Sequence, residues 1–310
     1  MNNLKPSETG VLWSKGIGSF CDYNGGLNYV FAHTETFSDK DLLVESYKGC
    51  RNLVWLRLST RPKKQMECDL DLFANGVLQQ IDSDFVLITT DGDTAVPSEL
   101  KSDTVSKILN NQYLKAWFTQ NYSGSDNQKI MPFPIGLDLH TLGSHIRPSE
   151  IEHLLKAIRF SRSERDHSLS PTIFSDFQLN YSHGRRKEIF DSIKENPFIT
   201  FIKQRVSPFD LWRLYSEFDF VLSPRGNGLD CHRTYEALYL GAIVITEETP
   251  ISPLFDDLAV IYVTDWEILK DVNILREWKS RYLEKTNMDH VWSNLNSHRY
   301  ITQVRSYLSK

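Results

Sequence analysis

The chain has 310 residues, of which 40% are hydrophobic and 24% charged, with a formal net charge of -5 at pH 7. This length is sufficient for two domains that each bury a core, and the composition is typical of a soluble globular protein rather than a disordered one. The negative charge offers no overall attraction to a polyanion. The cysteines, at positions 21, 50, 68 and 231, have neither metal-site spacing nor disulfide-scaffold density, so we expect reduced thiols.

The first residues, MNNLKPSETGVLWSKG, lack the basic start and continuous apolar core of a signal peptide. No run in the chain approaches the roughly 18 apolar residues of a membrane span. We therefore expect no membrane span and a cytoplasmic location.

Short apolar runs alternate with helical patterns along the chain, which is typical of parallel sheets covered by helices. In the first half, the pattern predicts strands at 28–33, 52–58, 84–90 and 129–135 and helices at 40–47, 67–80 and 103–110. An amphipathic helix is predicted from Pro148 to Phe160, with Ser149 as its cap.

The stretch SRSERDHSLS, residues 161–170, is nearly free of apolar residues and is the best candidate for a linker. After it, strands are predicted at 171–177, 198–202, 218–223, 242–246 and 258–263, and helices at 185–194, 208–216 and 230–240. We therefore predict an α/β domain over 1–160 and a second over 171–290. A closing helical segment, 291–310, either stays with the second domain or crosses back to the first.

The stretch FVLSPRGNGLDCHRTYEALYLGAIVIT, residues 220–246, has the order strand, loop, helix, strand. Such a unit crosses over right-handedly, so the loop lies at the carboxyl edge of the sheet, where open α/β sheets bind ligands. Gly226 and Gly228 would let the backbone approach a ligand, and free amides at the start of the next helix attract phosphate oxygens.

Charged residues lie on both sides of these glycines in the same stretch. The planar forks of Arg225 and Arg233 suit a diphosphate, and Glu236 can accept hydrogen bonds from sugar hydroxyls. Each feature alone also has a structural explanation: a tight turn for the glycines, a helix cap for Asp230, and a solvated pair for Arg233 and Glu236. Their combination at one sheet edge favours a binding site.

This stretch resembles the donor-binding signature of exostosin-like glycosyltransferases and related bacterial and viral enzymes. The resemblance is carried by Pro224, Arg225, Gly226, Asp230, Arg233, Glu236, Ala237 and Gly241. Weaker likenesses upstream, in FVLITTDGDTAVP, WFTQN, PFPIGLDLHT and FSDFQLNYSHGRR, extend it over about residues 84 to 250.

The resemblance implies a GT-B fold, in which two Rossmann-like domains face each other across a cleft. It also implies a nucleotide-diphosphate sugar donor held by the C-terminal half, a hydroxyl acceptor on a glycan or a lipid-linked molecule, and neither a cofactor nor a metal. The donor-binding residues expected on this basis are Arg185, Arg225, Gly226, Asn227, Gly228, Asp230, Arg233 and Glu236. Arg186 is an alternative to Arg185.

Transfer with inversion requires a base that takes the acceptor proton. The candidates in the first half are Asp22, Asp91 and Asp93, which we do not rank. Asp138 and His140 are weaker candidates, with structural roles favoured for both.

Three alternatives stay open. The run FVLITTDGD could instead hold a divalent cation through Asp91 and Asp93, as in metal-dependent GT-A transferases. The chain could be a non-catalytic nucleotide- or glycan-binding module, with its aromatic residues as sugar-stacking surfaces. It could also be a phage-type transferase acting on DNA bases, although TRPKKQ, residues 60–65, is a small basic loop rather than a basic face.

Overall fold

The computed structural model describes residues 9–33, 36, 38–58, 67–141, 146–162, 170–179 and 185–309. The basic loop predicted at 60–65 and most of the linker predicted at 161–170 lie outside these residues. The chain divides into two compact units. The first unit comprises Met1–Ile135 and Asn296–Lys310, and the second comprises Gly136–Leu295.

The first unit contains a four-stranded parallel sheet in the order β1-β2-β3-β4. One row across this sheet consists of Val54, Leu87, Trp117 and Ile130, all of which are buried. Parallel strands covered on both faces read as continuous apolar runs, as these do. The strands are β1 (Asn52–Arg57), β2 (Phe85–Thr90), β3 (Leu114–Thr119) and β4 (Ile130–Pro132).

Helices precede the first strand and connect β1 to β2 and β2 to β3, and the side chains of Leu43, Tyr47 and Phe73 belong to the core of this unit. The rings of Tyr47 and Phe73 meet edge to face with centroids 5.8 Å apart, a favoured aromatic geometry. The helices are α1 (Ser14–Gly18), α2 (Leu27–Val30), α3 (Lys40–Ser46), α4 (Asp69–Gly76) and α5 (Ser102–Asn110).

The second unit contains a five-stranded parallel sheet in the order β6-β5-β7-β8-β9. Strand β5 lies between β6 and β7, so the strand order reverses beside β5. In chain order its elements are α6 (Pro148–Ser161), β5 (Ile173–Ser175), α7 (Arg186–Ile193), β6 (Ile199–Phe201), α8 (Pro208–Glu217), β7 (Phe220–Leu222), α9 (His232–Tyr239), β8 (Ile243–Thr246), β9 (Val260–Tyr262), α10 (Val272–Tyr282) and α11 (Met288–Asn294).

The two parallel sheets confirm the predicted α/β fold class, and most predicted elements lie within a few residues of observed ones. The strand predicted at 28–33 is wrong, because the short helix α2 occupies that region after Gly25 and Gly26, both at positive φ. Strand β3 was not predicted, since Lys115 and the Asn-rich stretch before it obscure the apolar run. The cap of α6 is Arg147 rather than Ser149, because Pro148 occupies the first helical position.

The division between the units falls between Ile135 and Gly136, whereas the sequence placed the domain limits at 1–160 and 171–290. Helix α6 groups with the second unit, where it buries Ile151, Leu155 and Ile158 and contacts α8. An apolar helical face contributes to whichever core it covers, and sequence periodicity does not identify that core.

Within the closing segment predicted at 291–310, residues 291–295 group with the second unit and Asn296–Lys310 with the first. The last helix, α12 (Ser297–Arg305), begins where the Ser297 amide donates to the carbonyl of Gly10 at 2.8 Å. The Ser297 hydroxyl donates to the carbonyl of Val11, also at 2.8 Å. Among the described residues, no helix has both the length and the hydropathy needed to cross a membrane. All four cysteines are free thiols.

Candidate functional site

A cavity of about 560 Å³ lies in the second unit, beside the carboxyl ends of β5 and β6. Residues 176–178, directly after β5, and 202–206, directly after β6, line it together with side chains of α8 and α9. Because the strand order reverses beside β5, loops diverge there and leave room for a ligand. The cavity therefore occupies the edge at which open parallel sheets bind small molecules.

Glu236 is the one residue of the predicted donor set that lines this cavity. It lies on α9 and its side chain is buried. Burial and the charge of Asp138 raise the pKa of Glu236 to about 7, although His232 and a hydrogen bond from Trp212 partly oppose the shift. A buried carboxyl group beside a cavity is typical of a binding or catalytic position.

Arg233 lies one turn before Glu236 on α9 and pairs with Asp176 rather than with Glu236. Its Nε donates to Asp176 Oδ1 at 2.6 Å, and its Nη2 donates to Asp176 Oδ2 at 3.3 Å. Both side chains are largely buried, and the Tyr215 hydroxyl donates to the same carboxylate. The solvated surface pair of Arg233 and Glu236 considered from the sequence is therefore wrong. Arg233 instead orients Asp176, which lines the cavity.

The loop after β7 is held in place by Arg186 on the neighbouring helix α7. Arg186 is buried and donates from Nη2 to the carbonyl of Pro224 and from Nε to the carbonyl of Arg225, at 3.0 Å and 2.8 Å. A Cβ at Gly226 would lie 3.1 Å from Arg186 Nη2, a tight contact that would require Arg186 to shift by a few tenths of an ångström. Gly226 therefore packs against Arg186, in addition to the turn that the sequence predicted for it.

Arg185 and Arg186 are neighbours in sequence but differ in environment. Arg185 is exposed and donates to Glu188 at 2.8 Å on its own helix. The sequence favoured Arg185 as a donor ligand, whereas Arg186 contacts the loop that follows β7. A helical start at this point places successive side chains on different faces, and only the fold shows which one faces the loop.

Other members of the loop have mixed environments. The amide of Arg225 donates to Glu247 at 3.2 Å, but its side-chain Nε is buried without a hydrogen-bond partner among the described residues. Buried donors are seldom left unsatisfied, so this group has capacity for a ligand. Asn227 is half-buried and Gly228 is buried. The oxygens of Asp230 accept from the Tyr235 hydroxyl and the Cys231 amide, so this aspartate supports α9 without being its cap.

Two cationic residues of the cavity were missed from the sequence. Lys203 and Arg205 follow β6 and line the cavity, with exposed side chains. The signal was present in ITFIKQRV, where positive charges directly follow an apolar strand. Charged residues directly after a parallel strand indicate a ligand site at the sheet edge, as glycines in the loop after β7 do.

A second polar group in this unit consists of Asp138, His140 and His232. His140 Nδ1 lies 3.1 Å from Asp138 Oδ1, and the two imidazole rings have centroids 5.5 Å apart. Burial alone would raise the pKa of Asp138, but His232, His140 and hydrogen bonds from Thr141 lower it to about 2. One ligand atom from each of the three residues lies within 4.8 Å of the others, so this group could hold a metal ion. His232 was not singled out from the sequence.

The three predicted base carboxylates lie in the first unit. Asp91 follows β2 at positive φ, is buried, and lies 3.5 Å from Lys15 Nζ. Asp22 Oδ2 accepts from the Leu53 amide at 3.0 Å and lies 3.7 Å from Arg305 Nη1. Asp93 is half-buried in the loop after β2. Asp91 and Asp22 thus have structural contacts that account for an acidic residue at each position.

A second cavity, of about 350 Å³, lies in the first unit beside α2 and α3. Leu42, Tyr29 and Tyr47 contribute to its largely apolar lining, and Arg57 also reaches it. The guanidinium of Arg57 is buried and donates to Asp69 and to the carbonyls of His33 and Thr36. This cavity has no counterpart among the sequence predictions.

No family model matches the sequence, and no curated protein matches it. Several solved structures resemble the chain, and two of them do so at a TM-score of 0.50. An OtsA structure without ligand has 10% sequence identity, covering 87% of this chain and 76% of its own. A UDP-forming α,α-trehalose-phosphate synthase from Burkholderia xenovorans has 11% identity, covering 87% of this chain and 77% of its own.

At such low identity these likenesses describe the fold and not the family, so the resemblance to exostosin-like enzymes stays a prediction. They also argue against the GT-A alternative, which the two separate parallel sheets do not fit. The chain has the GT-B fold of glycosyltransferases, with one parallel sheet in each of its two units.

Proposed function

We propose that this protein is a glycosyltransferase that moves a sugar from a nucleoside-diphosphate sugar to a hydroxyl group of a glycan or lipid-linked acceptor, with inversion. The observation that carries the proposal is the cavity at the β5 and β6 edge with the buried carboxyl group of Glu236 in its wall. A GT-B fold with such a cavity in its second unit fits a donor site.

Within this site, Glu236 is proposed to bind hydroxyl groups of the donor. Its carboxyl group is buried beside the cavity, so a hydrogen bond to a sugar hydroxyl would be shielded from water and correspondingly strong. Trp212, which also lines the cavity, offers an apolar wall. Together they suit a ligand that has both a ring face and hydroxyl groups.

The leaving diphosphate gains negative charge during transfer and requires positive groups aimed at it. The proposed groups are Lys203 and Arg205 at the cavity and Arg225, whose buried Nε lacks an acceptor among the described residues. With these cations, transfer does not require a metal bound through Asp91 and Asp93. Asp91 also lies against Lys15. One of the similar structures is named as a UDP-forming enzyme, which makes uridine diphosphate sugars the first donors to test.

The catalytic base is proposed to be Asp93. Asp93 is half-buried in the loop that follows β2, at the carboxyl edge of the first sheet. Replacing Asp93 with Asn should lower turnover by about 100-fold or more and leave donor binding unchanged.

The proposal is tested by thermal shift with a panel of nucleotide sugars, because a ligand that binds only the native state raises its apparent stability. We expect one nucleotide-sugar class to raise the melting temperature of the wild-type chain and, at the same concentration, to raise that of Glu236→Gln by less. The matched control is Glu217→Gln, an exposed residue at the end of α8, which should shift like the wild type. The absence of any shift across the panel would contradict a donor site.

A non-catalytic binding module is the second candidate. It is favoured by one observation, namely that two of the three predicted base carboxylates have structural contacts. Donor binding without turnover, unchanged by Asp93→Asn and measured with glycan and lipid-linked acceptors, would support this candidate over transfer.

A further inference from the structure

Asp138, His140 and His232 come from two parts of the second unit that the fold brings together. Asp138 and His140 lie in the segment after β4, and His232 is the first residue of α9. All three side chains are half-buried, and one potential ligand atom from each lies within 4.8 Å of the others. Asp138 also lines the 560 Å³ cavity, so the group is next to a space that a ligand can enter.

His232 is oriented by a backbone carbonyl. Its Nδ1 lies 2.8 Å from the carbonyl oxygen of Gly136, and this contact requires a proton on Nδ1. The neutral imidazole then presents Nε2 as a lone-pair donor. Metal-binding histidines commonly have this arrangement, with the second ring nitrogen donating to a carbonyl or carboxylate.

Gly136 has φ of +71°, a conformation that side-chain-bearing residues rarely adopt. Because the Gly136 carbonyl orients His232, this backbone conformation helps to position the histidine. Asp138 is also supported: its Oδ1 accepts from the backbone amides of His140 and Thr141 at 3.1 Å and 2.9 Å. The carboxylate is therefore held toward the histidines by the local chain.

Two imidazoles and one carboxylate form a ligand set with a defined metal preference. Imidazole nitrogen suits zinc, cobalt, nickel and copper ions, whereas magnesium and calcium prefer oxygen ligands alone. Ligand atoms about 2.0 to 2.2 Å from a tetrahedral zinc ion lie about 3.3 to 3.6 Å apart. The three atoms lie within 4.8 Å of one another, so small side-chain movements would bring them to that arrangement.

We propose that Asp138, His140 and His232 bind a divalent transition-metal ion of the zinc type, with a coordination position left open toward the cavity. Three protein ligands with one open position is the pattern of zinc sites that bind an exogenous ligand, whereas structural sites have four protein ligands. An oxygen atom of a molecule in the cavity would complete the coordination. This site goes beyond the proposed sugar transfer and does not depend on it, although the sequence had predicted no metal.

The test is a direct measurement of metal binding, with no acceptor or donor present. The full chain is freed of metal with a chelator, and Zn²⁺ and Mg²⁺ are titrated separately by calorimetry, with Co²⁺ as a spectroscopic probe of nitrogen ligands. We expect one equivalent of Zn²⁺ to bind and Mg²⁺ to bind at least about 100-fold more weakly. Co²⁺ should give the visible absorption of a four-coordinate site. No stoichiometric Zn²⁺ binding to the wild-type chain would overturn the proposal.

Variants identify the ligands. His140→Ala, His232→Ala and Asp138→Asn should each weaken Zn²⁺ binding by at least about tenfold, and Gly136→Ala should weaken it by about 10- to 100-fold through His232. The matched control is His153→Ala, an exposed histidine on α6 of the same unit, which should bind as the wild type does. Circular dichroism establishes which variants are folded, and only those are compared.

The result is decisive in both directions. Equal weakening by His153→Ala and His232→Ala, or stoichiometric binding that survives replacement of both His140 and His232, would mean that the ion binds elsewhere. In that case the three residues form a hydrogen-bonded group and not a metal site. Because no nucleotide sugar is used, failure here leaves the donor-site proposal untouched, and failure of the nucleotide-sugar panel leaves this one untouched.

Discussion

The two units each contain a cavity and buried charges, but the charges are used differently. In the first unit, Arg57 donates to Asp69 and to two backbone carbonyls, so its positive charge is matched within the fold. In the second unit, Glu236 is buried at the cavity wall with its pKa raised to about 7. The partners of Arg57 offset the cost of burying its charge, whereas burial disfavours the charged form of Glu236.

This difference indicates where ligand chemistry resides. A buried charge with complete partners contributes to the fold and gives a ligand little to bind, whereas a buried carboxyl group with a raised pKa gains from a polar ligand. The cavity of the first unit is largely apolar around a satisfied arginine, and that of the second has carboxyl, amide and cationic groups. The comparison therefore favours the second unit as the donor-binding unit.

The largest expected effect comes from breaking one buried ion pair in each unit. Arg57→Met leaves Asp69 buried without its cation, and Arg233→Met does the same to Asp176. We expect each change to lower the free energy of unfolding by about 3 to 5 kcal/mol, measured by denaturant titration. Only Arg233→Met should also weaken nucleotide-sugar binding by calorimetry, because Asp176 lines the cavity. Weaker binding by the folded Arg57 variant would contradict the division of roles.

The next effect concerns Glu236 alone. Glu236→Gln keeps the shape of the side chain but removes the charge that burial opposes, so stability should be unchanged or higher. Nucleotide-sugar affinity should fall by about 10- to 100-fold, as for loss of a hydrogen bond to a charged group. Calorimetry of this variant beside Glu217→Gln distinguishes a binding role from a structural one, since a structural role would lower stability and spare affinity.

A smaller effect separates the adjacent arginines of α7. Arg186→Lys cannot reproduce the forked contacts to the carbonyls of Pro224 and Arg225, so it should cost about 1 to 2 kcal/mol of unfolding free energy. Arg185→Lys alters an exposed pair that is screened by water and should leave stability unchanged. Thermal unfolding of the two variants measures both. Similar costs for the two changes would mean that the loop does not depend on Arg186.

The smallest effect is a pH dependence in the first unit. Burial alone would raise the pKa of Asp71, but hydrogen bonds from Thr104, Lys101 and the Cys68 amide lower it below its usual value of 3.8. The carboxylate therefore stabilises the folded chain above pH 3.8, and this contribution is lost as the pH falls through the lower folded-state pKa.

Asp71→Asn should consequently cost about 1 kcal/mol at pH 7, and the difference from the wild type should shrink as the pH is lowered below 3.8. Thermal unfolding followed by circular dichroism between pH 3 and 7 measures this. The control is Asp103→Asn on the exposed face of α5. A cost that is the same at every pH would mean that packing, and not the charge, accounts for it.

Several parts of the fold were predictable because they depend on local patterns. Continuous apolar runs such as NLVWLR and FVLITT predicted β1 and β2, since a strand buried on both faces needs such a run. Strand β3 was missed because Lys115 interrupts its run. The strand predicted at 28–33 is instead the short helix α2 (Leu27–Val30), which two glycines at positive φ precede. Apolar content alone does not report these backbone conformations.

The site was predicted less completely than the fold. The stretch after β7 contains Glu236, and its periodicity placed Arg233 one turn earlier on the same helix. Periodicity did not show that Arg233 pairs with Asp176, which lies 57 positions earlier in the chain. Lys203 was missed, and Asp138 and His140 were named only as weaker base candidates without His232, because their loops approach α9 only in the folded unit.

The sequence by itself determined that the chain forms α/β units with parallel strands, because the alternation of apolar runs and amphipathic helices is a local property of the residues. It also determined that a loop with two glycines and an arginine follows one strand. Only the tertiary structure decided that Arg186, and not Arg185, holds that loop, that the cavity opens beside β5 and β6, and that Glu236 is buried in its wall. Such features depend on contacts between residues distant in the chain, where burial and partner distances set the charge state and orientation of each side chain.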